Sequence, residues 1–252
     1  MLSDREAIEV FHLLFLRAFG ARVRKELYAL KGGCNLRFFH RSIRYSEDMD
    51  LDVRTVSVAT LRNNVDRTLD APGFLQTLRA QRIELTDVSR PKQTETTQRW
   101  KLRLAIAGTG QELPTKIEFS RRALGEQVAH EAVAAELIRR YRLYPVLVQH
   151  YTASGAFAQK VAALALRSQI QARDIFDLKL LLDAGAGDAP ASKDLVSKLP
   201  RAIENALTVG YDEFAGQVLA YLEPEYQEHY RPRRAWEELQ EQVVNALGVL
   251  KP

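Results

Sequence analysis

Lys31-Gly32-Gly33-Cys34-Asn35-Leu36-Arg37-Phe38-Phe39-His40-Arg41-Ser42-Ile43-Arg44-Tyr45-Ser46-Glu47-Asp48-Met49-Asp50-Leu51-Asp52 sets two unlike signals side by side. The first is a Gly-Gly pair behind a strand-like Leu27-Tyr28-Ala29-Leu30 and ahead of a short helix over Leu36, Phe38 and Phe39. The second is an alternation: Asp48, Asp50 and Asp52 share one strand face, and Glu47, Met49 and Leu51 share the other. Three carboxylates on one face repel, and Asp is a poor strand former. A divalent cation offsets that repulsion directly, and Mg²⁺ takes oxygen ligands from a few carboxylates together with substrate phosphates. Glycines supply the complement, because backbone N–H groups approach a phosphate closely where no side chain intervenes. The stretch reads as a metal-and-nucleotide site, with Asp48 and Asp50 on Mg²⁺ or Mn²⁺ and the phosphates of an NTP over Gly32 and Gly33. Ser46, two residues before Asp48, joins the carboxylate face on a continuous strand, and its hydroxyl can then donate to a phosphate oxygen. The plain alternative is a charged edge strand beside an ordinary turn, and either half alone would favour it.

At 252 residues and 46% hydrophobic, the chain can bury one large core or two modest ones. A lone cysteine excludes an internal disulfide framework and a zinc cluster, and fits a cytoplasmic, reducing location. No run reaches the length of a membrane span. The net charge of +4 is unevenly spread: residues 1–152 carry 25 Lys+Arg against 18 Asp+Glu, and residues 153–252 carry 11 against 14. A basic front half suits a polyanionic partner.

Working outward, residues 2–20 read as an amphipathic helix capped by Ser3, with Glu6 closing a capping box. Phe11, Leu14, Phe15 and Phe19 form its buried stripe, and Glu6, Glu9, His12 and Arg17 interrupt the apolar run. Residues 58–69 and 74–79 read as helices on either side of Pro72-Gly73. Residues 82–88, 99–107 and 115–119 read as strands, the last two separated by Thr109-Gly110 and Pro114. Residues 124–142 are ambiguous, with helical patterning through 131–140, and 146–151 read as a short strand. From Ser154 onward helix follows helix. The expected fold is an α/β (α+β) mixed-sheet domain over residues 1–152 and an all-α helical domain over 153–252.

Two further patterns stand out. In Lys116-Ile117-Glu118-Phe119, Lys116 and Glu118 share a strand face, which taken alone is an ordinary surface strand. In Lys160-x-x-Ala163-Leu164-x-x-Arg167, the Lys, Leu and Arg share a helical face, and in Arg173-Asp174-Ile175-Phe176-Asp177-Leu178 the two aspartates lie one turn apart. Two amphipathic helices with an Arg173–Asp177 ion pair account for Asp177 but leave Lys160 and Arg167 unassigned. Lys101 lies on a strand outside every motif, and no motif pairs a histidine with Cys34.

In order and spacing, these motifs resemble the AbiEii-type nucleotidyltransferase toxins of type IV toxin–antitoxin systems, within the polymerase-β-like nucleotidyltransferase superfamily. The matching residues are Lys31-Gly-Gly-x-x-Leu-Arg, Arg44-x-Ser46-x-Asp48-x-Asp50-Leu51, Lys116-Ile-Glu118, Lys160-x-x-Ala-Leu-x-x-Arg167 and Arg173-Asp174-x-x-Asp177-Leu178. They cover most of the chain. The resemblance implies metal-dependent transfer of NMP from an NTP to an acceptor hydroxyl. It also implies the tRNA 3′ end as acceptor, bacterial growth arrest as outcome, and a cognate antitoxin protein. Glu118 is implied as a third metal carboxylate, and Arg44, Arg173, Asp174 and Asp177 as nucleotide-binding. Lys160 is implied as the catalytic lysine that meets the triphosphate from the helical domain. The family usually has Thr or Ser where this chain has Cys34, a weaker hydrogen-bond donor. Two readings stay open beside it: transfer to a protein hydroxyl, and a catalytically silent nucleotide- or RNA-binding module on the same fold. The presence of both Asp48 and Asp50 weighs against the silent module.

Overall fold

The computed structural model describes residues 2–121, 124–125, 127–188 and 190–250. By compactness the chain divides into two units. One is Met1–Phe39 with Ser46–Tyr151; the other is His40–Tyr45 with Thr152–Pro252.

The first unit runs α1 (Asp4–Gly20), β1 (Tyr28–Lys31), α2 (Gly32–Phe39), β2 (Asp48–Val53), α3 (Val58–Leu69), α4 (Pro72–Ala80), β3 (Ile83–Gln93), β4 (Thr97–Ile106), β5 (Glu112–Arg121), β6 (Val128–Ala132), α5 (Ala135–Arg140) and β7 (Leu147–Tyr151). Its seven strands form one mixed sheet in the order β3-β4-β5-β2-β1-β7-β6. β2 pairs antiparallel with β1 and parallel with β5, which sets the carboxylate strand at the middle of the sheet and not at an edge. Alternation then separates the faces. Met49, Leu51, Trp100, Leu102, Ile117 and Phe119 enter a core shared with α1, α3 and α4, while Asp48, Asp50, Lys116 and Glu118 stand on the opposite face.

α1 begins on the expected capping box, in which Ser3 Oγ accepts from the Glu6 N–H and the Glu6 carboxylate accepts from the Ser3 N–H. It is buried nearly all round and not along a stripe, and the expected polar interruptions Glu9 and His12 lie in the interior. Buried polar groups need partners, and both have them. Glu9 accepts from Arg37 Nε at 2.6 Å and from the Tyr141 hydroxyl at 2.5 Å.

The strands depart from expectation in two places. β5 runs straight through Pro114, which pairs with Arg103 of β4. The proline is tolerated because β2 joins β5 only from Lys116 onward, so no ladder partner calls for its missing N–H on that side. The ambiguous segment resolves into the edge strand β6 and the one-and-a-half turns of α5, so the helical pattern read from 131 had merged a strand end with a helix.

The second unit holds α6 (Ala153–Leu166), α7 (Ala172–Asp183), α8 (Lys193–Leu207), α9 (Tyr211–Gln217), α10 (Pro224–Tyr230) and α11 (Arg233–Val249). The Thr152 side chain caps α6 by accepting from the Gly155 N–H. Phe176, Phe214 and Trp236 pack ring against ring at its centre. The segment His40–Tyr45 belongs here: Arg44 bridges Leu222, and the Tyr45 N–H donates to the Tyr221 carbonyl. Pro224 starts α10, where its fixed φ and missing N–H cost nothing. Among the described residues no helix is long and apolar enough to cross a membrane.

Candidate active site

The polar face of the sheet is an ordered set of charges, because register fixes which side chains lie abreast. One row runs Lys31, Asp50, Glu118, Arg99 across β1, β2, β5 and β4. The next runs Asp48, Lys116, Lys101, Ser89 across β2, β5, β4 and β3. Three of the four carboxylates are held by a cation of the chain itself. Lys116 Nζ lies 2.9 Å from Asp48 Oδ2, Arg99 Nε 2.5 Å from Glu118 Oε2, and Lys31 Nζ 2.5 Å from Asp52 Oδ1. Asp52 is 1% exposed and also accepts from the Tyr151 hydroxyl, so it is a structural member of the face.

Asp50 differs. Among the described residues its carboxylate has no hydrogen bond or ion pair. Burial pushes its carboxyl above the ordinary value, the charges of Lys116 and Lys31 pull it partly back, and Asp48 and Glu118 push it further up. Gly32 lies against it. A Cβ at Gly32 would stand 3.1 Å from Asp50 Oδ2, and its φ of +67° belongs to the left-handed region that glycine adopts without strain. β1 therefore turns at Gly32 into α2, whose first turn carries Gly33, beside Asp50. Helix N-terminal N–H groups and their dipole favour an anion at such a place.

These residues fit a divalent ion. Mg²⁺ needs one or two carboxylates with the remainder from phosphates and water, and Asp48 and Asp50 supply such a pair on one strand face. Among the described residues no three His, Cys, Asp or Glu side chains gather as a ready metal group, and Glu118 gives its Oε2 to Arg99.

In the second unit, Arg44, Lys160, Arg167, Asp174 and Asp177 form one cluster. Arg44 donates to both carboxylate oxygens of Asp177, at 3.1 and 2.9 Å from Nη2. Lys160 Nζ reaches Asp174 Oδ1 at 2.8 Å and Asp177 Oδ2 at 2.6 Å, and Arg167 Nη1 reaches Asp174 Oδ2 at 2.7 Å. Three cations thus face two carboxylates. Burial by itself would raise Asp177, but the charges of Arg44 and Lys160 outweigh it and hold the carboxyl below its ordinary value. The expected Arg173–Asp177 pair does not form, since Asp177 faces Arg44 and Lys160, and Arg173 has no ion pair among the described residues.

The family model described as the nucleotidyl transferase AbiEii toxin of type IV toxin–antitoxin systems matches residues 14–247. The chain belongs to the AbiEii family. Its fold is similar to that of JHP933 from Helicobacter pylori, with a TM-score of 0.61 at 18% identity over 98% of this chain and 95% of that one. It is also similar to a second H. pylori protein, provisionally assigned as a nucleotidyltransferase, with a TM-score of 0.58 at 19% identity over 98% and 93%. No curated protein matches the sequence.

Several features of this AbiEii chain lie outside the motifs. Cys34 has a histidine after all: His12 Nδ1 is 3.5 Å from its Sγ. Thr115 Oγ1 spends its proton on the Glu47 carbonyl at 2.6 Å, so His12 Nε2 must be the donor in its 2.8 Å bond to Thr115. Burial lowers His12 to about 3 and pushes the Cys34 thiol well above its ordinary value. Both are neutral, which is the wrong state for a nucleophilic pair. Cys34 instead donates to the Asp48 carbonyl at 3.3 Å. Ser46 is not on the strand, which starts at Asp48; its hydroxyl donates to the same Asp48 carbonyl at 2.9 Å. Three side chains thus grip the backbone where β2 begins. Lys101 is abreast of Lys116 and lines, with Glu47, Asp48, Ser89, Arg103, Pro114 and Thr115 among others, a cleft of about 550 Å³. It is no bystander. The sequence signal for it was the odd-numbered Arg99, Lys101, Arg103 series on β4.

Proposed function

We propose that this AbiEii-family chain is a metal-dependent nucleotidyltransferase toxin that moves NMP from an NTP to an acceptor hydroxyl, with the tRNA 3′ end as that acceptor. The observation that carries this reading is the pairing of Asp48 and Asp50 on β2 with Gly32 at the start of α2, against Asp50 Oδ2. Asp48 and Asp50 would hold Mg²⁺ or Mn²⁺, which when bound neutralises phosphate charge facing the attacking hydroxyl. The N–H groups of the first turn of α2 bind a phosphate oxygen, and the missing side chain at Gly32 lets them come close. The acceptor oxygen bonds to the α-phosphorus and releases its proton to water, the bond from the α-phosphorus to the α,β-bridging oxygen breaks, and pyrophosphate leaves with that oxygen. Positioning and electrostatics supply most of the rate. We place the acceptor end in the cleft beside Asp48, where Lys101 and Lys116 would meet its phosphate among the carboxylates Glu47, Asp87 and Glu112.

We read the second unit as an all-helical domain that serves the nucleotide. Lys160 uses two of its three donors on Asp174 and Asp177 and keeps one for a triphosphate oxygen, while Arg173 keeps its whole fork. Glu118 serves as a third carboxylate once Arg99 releases it. A cognate antitoxin would neutralise the toxin.

Incubating the purified protein with each labelled NTP, Mg²⁺ and total RNA, then total protein, tests this directly. Label is expected in small RNA, absent with EDTA and absent for Asp48→Ala. Label in protein alone would replace the acceptor, and no label in either would overturn the reading.

A further inference from the structure

We propose that Lys116 is an exchangeable counter-ion for the carboxylate face: it holds Asp48 in one state and yields that oxygen to a divalent cation in the other. The inference rests on Asp48 and Asp50 being the metal carboxylates, as proposed above.

Its support is a contrast among the ion pairs of one face. Lys31 is fixed on Asp52: the carboxylate is 1% exposed, and the lysine donates a second bond to Ser120 Oγ at 3.0 Å. Such a pair resists opening, because parting it leaves a charge buried. Lys116 and Asp48 are 27% and 35% exposed, and Asp48 Oδ2 at 2.9 Å is the only ion-pair partner of Lys116 among the described residues. A pair this wet opens at little cost, and its four-carbon stem lets the ammonium swing.

Opening also has somewhere to lead. Lys116 lines the cleft and lies abreast of Lys101, among the carboxylates Glu47, Asp87 and Glu112, so an ammonium that leaves Asp48 stays in a site of mixed charge. The divalent ion displaces Lys116 from Asp48, and the cleft keeps the displaced ammonium. Metal binding then carries the cost of parting Lys116 from Asp48, and removing the ammonium lifts that cost.

The test is Mn²⁺ binding to the full-length protein without nucleotide, read as loss of the free-ion signal in electron paramagnetic resonance. Lys116→Met, which keeps the stem and removes the charge, is expected to bind Mn²⁺ about five- to tenfold tighter than wild type. Lys116→Arg, which keeps the charge, is expected to stay near wild type. Adding Asp48→Ala to Lys116→Met should remove the gain. An unchanged or weakened affinity in Lys116→Met overturns the inference and leaves the metal reading standing, provided wild-type binding depends on Asp48. Equal tightening in Lys116→Arg also overturns it, because charge would then not be the cause. If neither wild type nor Lys116→Met binds Mn²⁺ through Asp48, the metal reading and the inference fall together.

Discussion

Asp50 and Asp177 are two aspartates set among charges, yet their carboxyl groups lie on opposite sides of the ordinary value. Burial is the largest influence on both, and it raises both. Asp177 overcomes it because Arg44 and Lys160 touch its oxygens. Asp50 does not, because Lys116 and Lys31 act on it without contact while Asp48 and Glu118 repel it. The helical cluster balances its carboxylates internally. The sheet face keeps one carboxylate that no cation of the described residues touches, and such a group costs stability.

The sharpest way to break this contrast is the same conservative change at both sites. Asp50→Asn should lower nucleotide transfer by at least about a hundredfold, while raising the midpoint of urea unfolding, since it removes a penalised charge. Asp177→Asn should instead lower stability by about 3–5 kcal/mol, because the buried Arg44 would lose its carboxylate and Lys160 one of its two. Urea titrations of both variants against wild type decide it, and two shifts of the same sign would end the comparison.

Acidity should sharpen it. A raised folded pKa, as at Asp50, gives stability that is present below the unfolded value near 3.8 and lost as pH rises through the folded value. A lowered one, as at Asp177, gives stability present above 3.8 and lost as pH falls through the folded value. The gain from Asp50→Asn and the loss from Asp177→Asn should therefore both be largest near neutral pH and shrink toward pH 3. His12 adds a slope of its own. Held neutral with its value lowered from 6.5 to about 3, it stabilises above pH 6.5, and that contribution is lost as pH falls toward 3. His12→Gln should flatten stability over that interval. The smallest effects belong to the grip on the start of β2. Ser46→Ala should cost roughly 1 kcal/mol, one hydrogen bond to the Asp48 carbonyl, and Cys34→Ser less, whereas Ser46→Glu should lower transfer by crowding Asp48 with charge.

Much of this was legible in the sequence because it is local. The alternation at Asp48–Asp52, the Ser3/Glu6 cap and the glycine before α2 are decided within a few residues, and the structure keeps all three. What was not legible depends on register and on distant partners. No periodicity says that Lys101 will lie abreast of Lys116, or that Arg44 will meet Asp177 rather than a residue of its own neighbourhood. His12 read as a polar break in an apolar helix because its partners, Cys34 and Thr115, are 22 and 103 residues away. Pro114 read as a breaker because nothing local reveals that one side of β5 is still unpaired there.

The excursion of His40–Tyr45 into the second unit has a practical meaning for anyone dividing the gene. The most tempting truncation, after Tyr151, yields neither half intact. Its N-terminal product retains Arg44 without Asp177, and its C-terminal product retains Asp177 without Arg44 and lacks the backbone that bridges Leu222. The loop that joins the glycine turn to the carboxylate strand therefore has to travel with residues 152–252 in any division of the chain.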